Sequence, residues 1–79
     1  MNNGCQIEIQ SDISTDAEIV IIDLYGNIVR SVFTGKIAPG SNKIYWDGNT
    51  ELRQPVPRGL YFIYYWDKND TRHFKIVKL

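Results

Sequence analysis

The chain has 79 residues, nine of them Lys or Arg and nine Asp or Glu, so its formal charge is zero. That length allows one domain, and the balanced charge gives no basic field to draw a nucleic-acid backbone. No apolar run approaches the roughly 20 residues a membrane-spanning helix needs, and Met1-Asn2-Asn3-Gly4 lacks the basic and apolar regions of a secretion signal.

A chain this short buries only ~60% of its unfolded surface, so its core must be built from large side chains. Five Tyr, three Phe and two Trp supply them. Cys5 is the one cysteine, so no internal disulfide can brace the fold.

From residue 5 to residue 10 apolar and polar residues alternate, the period of a half-buried strand. Residues 11–16 are polar and read as a turn. Residues 17–23 form a second strand, with Ala17, Ile19 and Ile21 on one face and Glu18, Val20 and Ile22 on the other. Both faces are apolar apart from Glu18, which predicts a central strand. A tight turn follows at Leu24-Tyr25-Gly26-Asn27. The β-branched run from Ile28 to Thr34 is the third strand, and Gly35 to Gly40 is predicted as a loop punctuated by Pro39.

Ser41 to Trp46 is the fourth strand, with Ile44 and Trp46 on one face. A long loop runs from Asp47 to Pro57, where Pro55 and Pro57 hold Gln54 and Val56 extended. Leu60 to Trp66 is the fifth strand and the most apolar stretch. Asp67 to Asp70 is a polar hairpin turn, and Thr71 to Leu79 is the last strand. No helical period occurs, so the pattern is all-β, an antiparallel sandwich or small barrel. Residues 5–79 form the single domain, and residues 1–4 a short tail. The abrupt entry into a strand at residue 5 points to a module of a longer, exported chain, secreted or at the cell surface.

No catalytic constellation is visible, and none of the candidate side chains has the partners chemistry requires. His73 is the only histidine and lacks both a triad and a set of metal ligands. Cys5 has no histidine or basic neighbour in sequence and reads as a small buried hydrophobe. Asp67, Asn69 and Asp70, like Asp12, Ser14 and Asp16, are spaced as oxygen ligands but lack the glycine and distal glutamate of a calcium loop. No enzymatic activity, cofactor or metal is expected.

The fifth strand presents two aromatic faces. Tyr61, Ile63 and Tyr65 are assigned to the core, which leaves Phe62, Tyr64 and Trp66 as a candidate exposed stripe for a partner or a sugar ring.

Three segments carry a family resemblance: Asp23-Leu24-Tyr25-Gly26-Asn27-Ile28-Val29-Arg30, Trp46-Asp47-Gly48-Asn49, and Pro55-Val56-Pro57-Arg58-Gly59-Leu60-Tyr61-Phe62. In this order the chain resembles the immunoglobulin-like domain of flagellar hook-capping proteins. It also resembles the C-terminal sorting domains read by the type IX (Por) secretion system, which usually finish on a lysine-rich apolar strand, as at Phe74 to Leu79. The resemblance spans about residues 7 to 79. Two departures stand out: an aromatic, Tyr64, replaces a common polar residue, and residues 50–54 lack the usual Asp-x-Gly turn.

The resemblance implies a small immunoglobulin- or fibronectin-III-like antiparallel β-sandwich of about six to seven strands. Its main functional implication is a non-catalytic sorting and interaction module recognised by outer-membrane secretion machinery, with the last strand and its Lys75 and Lys78 offered to the receptor. The alternatives are a hook-cap-like assembly domain and a carbohydrate-binding or adhesion sandwich. Expected partners are proteins, with carbohydrate as the alternative to them. The motif residues Asp23, Gly26, Trp46, Asp47, Gly48, Pro57, Gly59 and Tyr61 are given fold roles. Trp46 fills the core. Asp47 closes the following turn. Gly26, Gly48 and Gly59 meet backbone demands, and Tyr61 caps a loop through its hydroxyl, as a tyrosine corner does.

Overall fold

In a computed structural model, residues 4–78 are described and form six antiparallel strands. These are β1 (Cys5–Ser11), β2 (Thr15–Ile22), β3 (Ile28–Ile37), β4 (Gly40–Trp46), β5 (Gly59–Asp67) and β6 (Thr71–Lys78). They make two sheets, one of two strands in the order β1-β4 and one of four in the order β3-β2-β5-β6. The architecture is the predicted all-β sandwich of immunoglobulin-like type. The predicted end of the last strand at Leu79, and the tail residues Met1 to Asn3, lie outside the described residues. β2 is central, hydrogen-bonded to β3 on one side and β5 on the other.

Between the sheets lies one core, built from Ile7, Ile9, Ala17, Ile19, Ile21, Ile37, Trp46, Val56, Tyr61, Ile63 and Tyr65. The alternation in β1 delivers Ile7 and Ile9 inward from one layer, and β5 delivers Tyr61, Ile63 and Tyr65 from the other. Cys5 is half-buried and packs against this core, and burial pushes its thiol pKa up.

Several boundaries differ from the sequence expectation by one residue, and two segments differ by more. Gly35 to Gly40 is not a loop, because β3 continues through Gly35 to Ile37, which pairs with Thr15 and is buried. The inward side chain of Ile37 outweighs the glycine, and Gly35 takes a φ of +156°, which glycine adopts readily, without breaking the ladder. Only Ala38 and Pro39 remain to turn the chain, and Asn42 closes that turn. Its Oδ1 accepts from the Ala38 N–H at 2.9 Å, and its Nδ2 donates to the Ala38 carbonyl at 2.8 Å. Likewise the polar segment 11–16 shortens to three residues between strands, because Thr15 and Asp16 pair with Ile37 and Lys36.

The loop after Trp46 connects different layers, since β4 lies in the two-stranded sheet and β5 in the four-stranded one. A single bridge from Asn49 to Pro55 pinches it shut, and the Val56 N–H donates to the Gly48 carbonyl at 3.0 Å. Held this way, Val56 drops its side chain into the core.

Candidate interaction surface

The motif residues gather at one end of the sandwich, where the loop crosses between layers. Asp23 shapes the β2–β3 turn. Its Oδ1 accepts from the Tyr25 and Asn27 N–H groups at 2.9 and 3.0 Å. These bonds, that from Asn27 first, hold the carboxyl below the usual aspartate range. Gly26 follows at φ +84°.

Trp46 is 1% exposed, and its Nε1–H donates to the Asn49 carbonyl at 3.0 Å. Its ring meets Tyr61 edge-on, with centroids 6.5 Å apart. The Tyr61 hydroxyl donates to the Pro57 carbonyl at 2.7 Å, so one aromatic pair anchors both ends of the loop. Desolvation raises the Tyr61 phenol pKa, and the Asp23 carboxylate adds to the effect.

Asp47 Oδ1 accepts from the Asn49 N–H at 2.9 Å, and Arg30 Nη1 lies 3.2 Å away. Its pKa is lowered, by the Asn49 N–H before the arginine. Buried Gly48 sits at φ +83°, a conformation that a side chain would strain, and Gly59 opens β5 at φ +151°. In the turn at residues 50–54, Arg53 holds φ +64°, a conformation glycine adopts more readily.

Sequence reasoning missed the residue that ties the loop to the sheet. Arg30 Nη1 donates to Asp47 Oδ1 and to the carbonyls of Asn49 and Thr50 at 3.2, 3.2 and 3.1 Å. Glu51 completes the clasp by accepting from the Ser31 N–H at 2.5 Å. Nothing in the spacing of Arg30 announces this, because its partners lie 17 to 20 residues away. Also missed were the exposed apolar side chains Leu24, Tyr25 and Ile28 on and beside the Asp23 turn. A groove of about 340 Å³ opens there, between that turn and the Val56–Tyr61 segment.

Four of the five candidate partner-binding residues share the outer face of β5 and β6, and Lys78 does not. Phe62 and Tyr64 are half-buried on the outer face of β5, and Trp66 is 37% exposed. Tyr64 stacks on His73 of β6, with ring centroids 5.5 Å apart and planes inclined by 22°. Lys75 is exposed and pairs with Phe62 on that outer face. Lys78 is different: its Nζ donates to the Val56 carbonyl at 2.8 Å, so it belongs to the crossing loop.

Two of the carboxylates considered for calcium, Asp67 and Asp70, are engaged within the protein. Asp67 accepts from the Tyr65 hydroxyl at 2.5 Å and from the Asn69 N–H at 2.8 Å, while Asp70 pairs with Arg72 Nε at 2.8 Å. The Tyr65 hydroxyl and then the Asn69 N–H lower the Asp67 pKa. Among the described residues no group of three or more potential metal-ligating side chains comes together.

No curated protein and no solved structure matches the chain. A family model does, described as FlgD Ig-like domain and matching residues 2–65. That range holds β1 to β4, the crossing loop and most of β5, with every motif residue of the Trp46–Tyr61 anchor. On that match and this fold, the chain belongs to the FlgD Ig-like domain family.

Proposed function

We propose that this domain is a non-catalytic assembly module of the hook-cap kind, packing its sandwich against neighbouring protein subunits. The match to the FlgD Ig-like family over residues 2–65 carries this reading. The local chemistry agrees with it. The charged and aromatic groups around the loop are engaged in holding backbone, whereas Leu24, Tyr25 and Ile28 offer apolar surface beside them. The test is an in-frame deletion of residues 5–78 in the native organism. Loss of the assembled structure, with the other subunits still produced, supports the reading; normal assembly overturns it.

A second reading, the type IX sorting address on a protein destined for the cell surface, is supported by the basic strand β6 with Arg72, Lys75 and Lys78. It predicts that removing residues 75–79 stops export of a fused reporter. Export at the full level would end it.

A further inference from the structure

The outer face of the four-stranded sheet carries one row that the assembly reading does not use. Register places Thr34, Glu18, Trp66 and Thr71 side by side across β3, β2, β5 and β6. Directly opposed residues share a face. Alternation turns this row away from the core, since Ala17, Ile19 and Tyr65 on either side of it are buried. Toward the β5–β6 hairpin stand Asp16 and Lys36, paired across β2 and β3, with Lys68 beside them. Ala17 pairs with Gly35 between the two rows, and with the Ala17 methyl turned to the core only their backbone lies there. A cleft of about 350 Å³ results, walled by Asp16, Glu18, Thr34, Trp66 and Lys68.

The polar groups of this cleft are uncommitted. Among the described residues the carboxylates of Asp16 and Glu18 and the amines of Lys36 and Lys68 make no hydrogen bond and no ion pair. Asp67, at the rim, is different, being engaged by the Tyr65 hydroxyl and the Asn69 N–H. The Trp66 Nε1–H also lacks an acceptor among the described residues, whereas that of Trp46 is bound to the Asn49 carbonyl. Trp66 is the ring of the outer stripe that remains available, because Tyr64 is stacked on His73 and Phe62 is half-buried.

We propose that this cleft binds one neutral pyranose ring of a glycan, stacked on Trp66 with its hydroxyls reaching Glu18, Thr34 and Lys68. A partly exposed indole offers an apolar, electron-rich surface, which suits the polarised C–H bonds on the flat side of a sugar ring. Around it stand carboxylate acceptors, an ammonium donor and a hydroxyl that does both. A ring of hydroxyls requires that mixture, since each hydroxyl donates and accepts. Charge decides between ligand classes. An anionic sugar meets the free carboxylates of Asp16 and Glu18, and a guanidinium or ammonium drawn to the indole meets the free amines of Lys36 and Lys68. Two of each sign favour a ligand with no net charge. The volume lies at the small end of ligand sites, so the occupant is a ring rather than a protein segment.

Stereochemistry narrows the class. A pyranose with all its hydroxyls equatorial keeps its flat sides apolar and its polar groups at the rim, where Glu18 and Thr71 flank the indole along one cross-strand row. A β-1,4-linked gluco-configured chain meets that requirement. The site stands at the end of β5 away from Tyr61 and the crossing loop, so it does not depend on the assembly reading. Either can fail without the other.

The probe is cellopentaose, titrated into the isotope-labelled domain and followed by two-dimensional NMR. A saturable shift of the Trp66 indole N–H, with the amides of Ala17, Glu18 and Gly35, is expected with a midpoint of about 1 mM. The Trp46 indole signal should stay in place. Trp66→Ala should abolish binding, Glu18→Ala should weaken it about fivefold, and Lys43→Ala, on the other sheet, should leave it unchanged. An oligogalacturonate and N-acetyl-arginine amide should each bind the unsubstituted domain about fivefold more weakly, which keeps the idea testable if Trp66→Ala does not fold. No saturable shift up to about 10 mM, or undiminished binding by a folded Trp66→Ala domain, would overturn the proposal. So would binding of the oligogalacturonate or of the arginine amide as tight as that of the neutral sugar, the latter marking a seat for a basic side chain of a partner protein.

Discussion

Arg30 and Asp47 lie 17 residues apart in the chain and 3.2 Å apart in space. The contact joins an edge strand of the large sheet to the first residue of the loop that leaves the small one. Because the same guanidinium nitrogen also serves the carbonyls of Asn49 and Thr50, the arginine works more as a loop template than as an ion pair.

Removing that template should loosen the loop without unfolding the sandwich. Arg30→Ala is expected to cost about 1–2 kcal/mol, for charge-assisted hydrogen bonds lost at a partly buried site, while the Asn49 and Thr50 carbonyls keep the Trp46 Nε1–H and the Arg53 N–H. Denaturant midpoints measure the cost, and faster amide exchange at Thr50 and Arg53 localises it.

Trp46 is the largest of the fully buried side chains, so its replacement should be the most damaging single change. Trp46→Ala should lose about 3–5 kcal/mol and leave little folded domain. Trp46→Phe keeps much of the volume and leaves the Asn49 carbonyl with Arg30 Nη1 as its donor, so one lost hydrogen bond and the smaller ring should cost about 1–2 kcal/mol. Circular dichroism against temperature separates the two variants.

Tyr65 gives the domain an alkaline limit. Burial first, and then its bond to Asp67, push the phenol pKa up to about 12 from 10.0. The unfolded chain deprotonates first, so the stability from this group is complete below pH 10 and lost as pH rises to about 12. Tyr65→Phe should flatten the fall in melting temperature over that window. A fall as steep as in the unsubstituted domain would refute the assignment.

Arg53 holds a left-handed φ of +64° in a turn tied by the Thr50 N–H and carbonyl. A side chain pays about 1 kcal/mol or more for that conformation. Arg53→Gly should therefore stabilise the domain by roughly 0.5 kcal/mol, the relief being partly offset by the greater freedom of glycine in the unfolded chain. The thermal midpoint should rise; a fall would show that the arginine side chain contributes more than its backbone costs.

Much of the sandwich could be read before any coordinates. The two-residue period in β1, β2 and β5 names the inward faces, because a strand leaves no other way to bury one side. Trp46 could be placed in the core on size alone, Tyr61 on the alternation of the fifth strand, and the turn after Asp23 on the tolerance of Gly26 and Asn27 for positive φ. These features depend on neighbours within a few positions.

What the chain order left open depends on distant partners. Ile37 became strand rather than loop because the core accepted its side chain, and Val56 became a core residue because Gly48 and Trp46 held its loop across the layers. Local composition thus determined the strands and which side each buries. Only the packing of the two sheets, one twice as wide as the other, decided that Arg30 clasps the loop. The cause is that sheet width and layer offset arise from contacts between segments far apart in the chain, which no local pattern encodes.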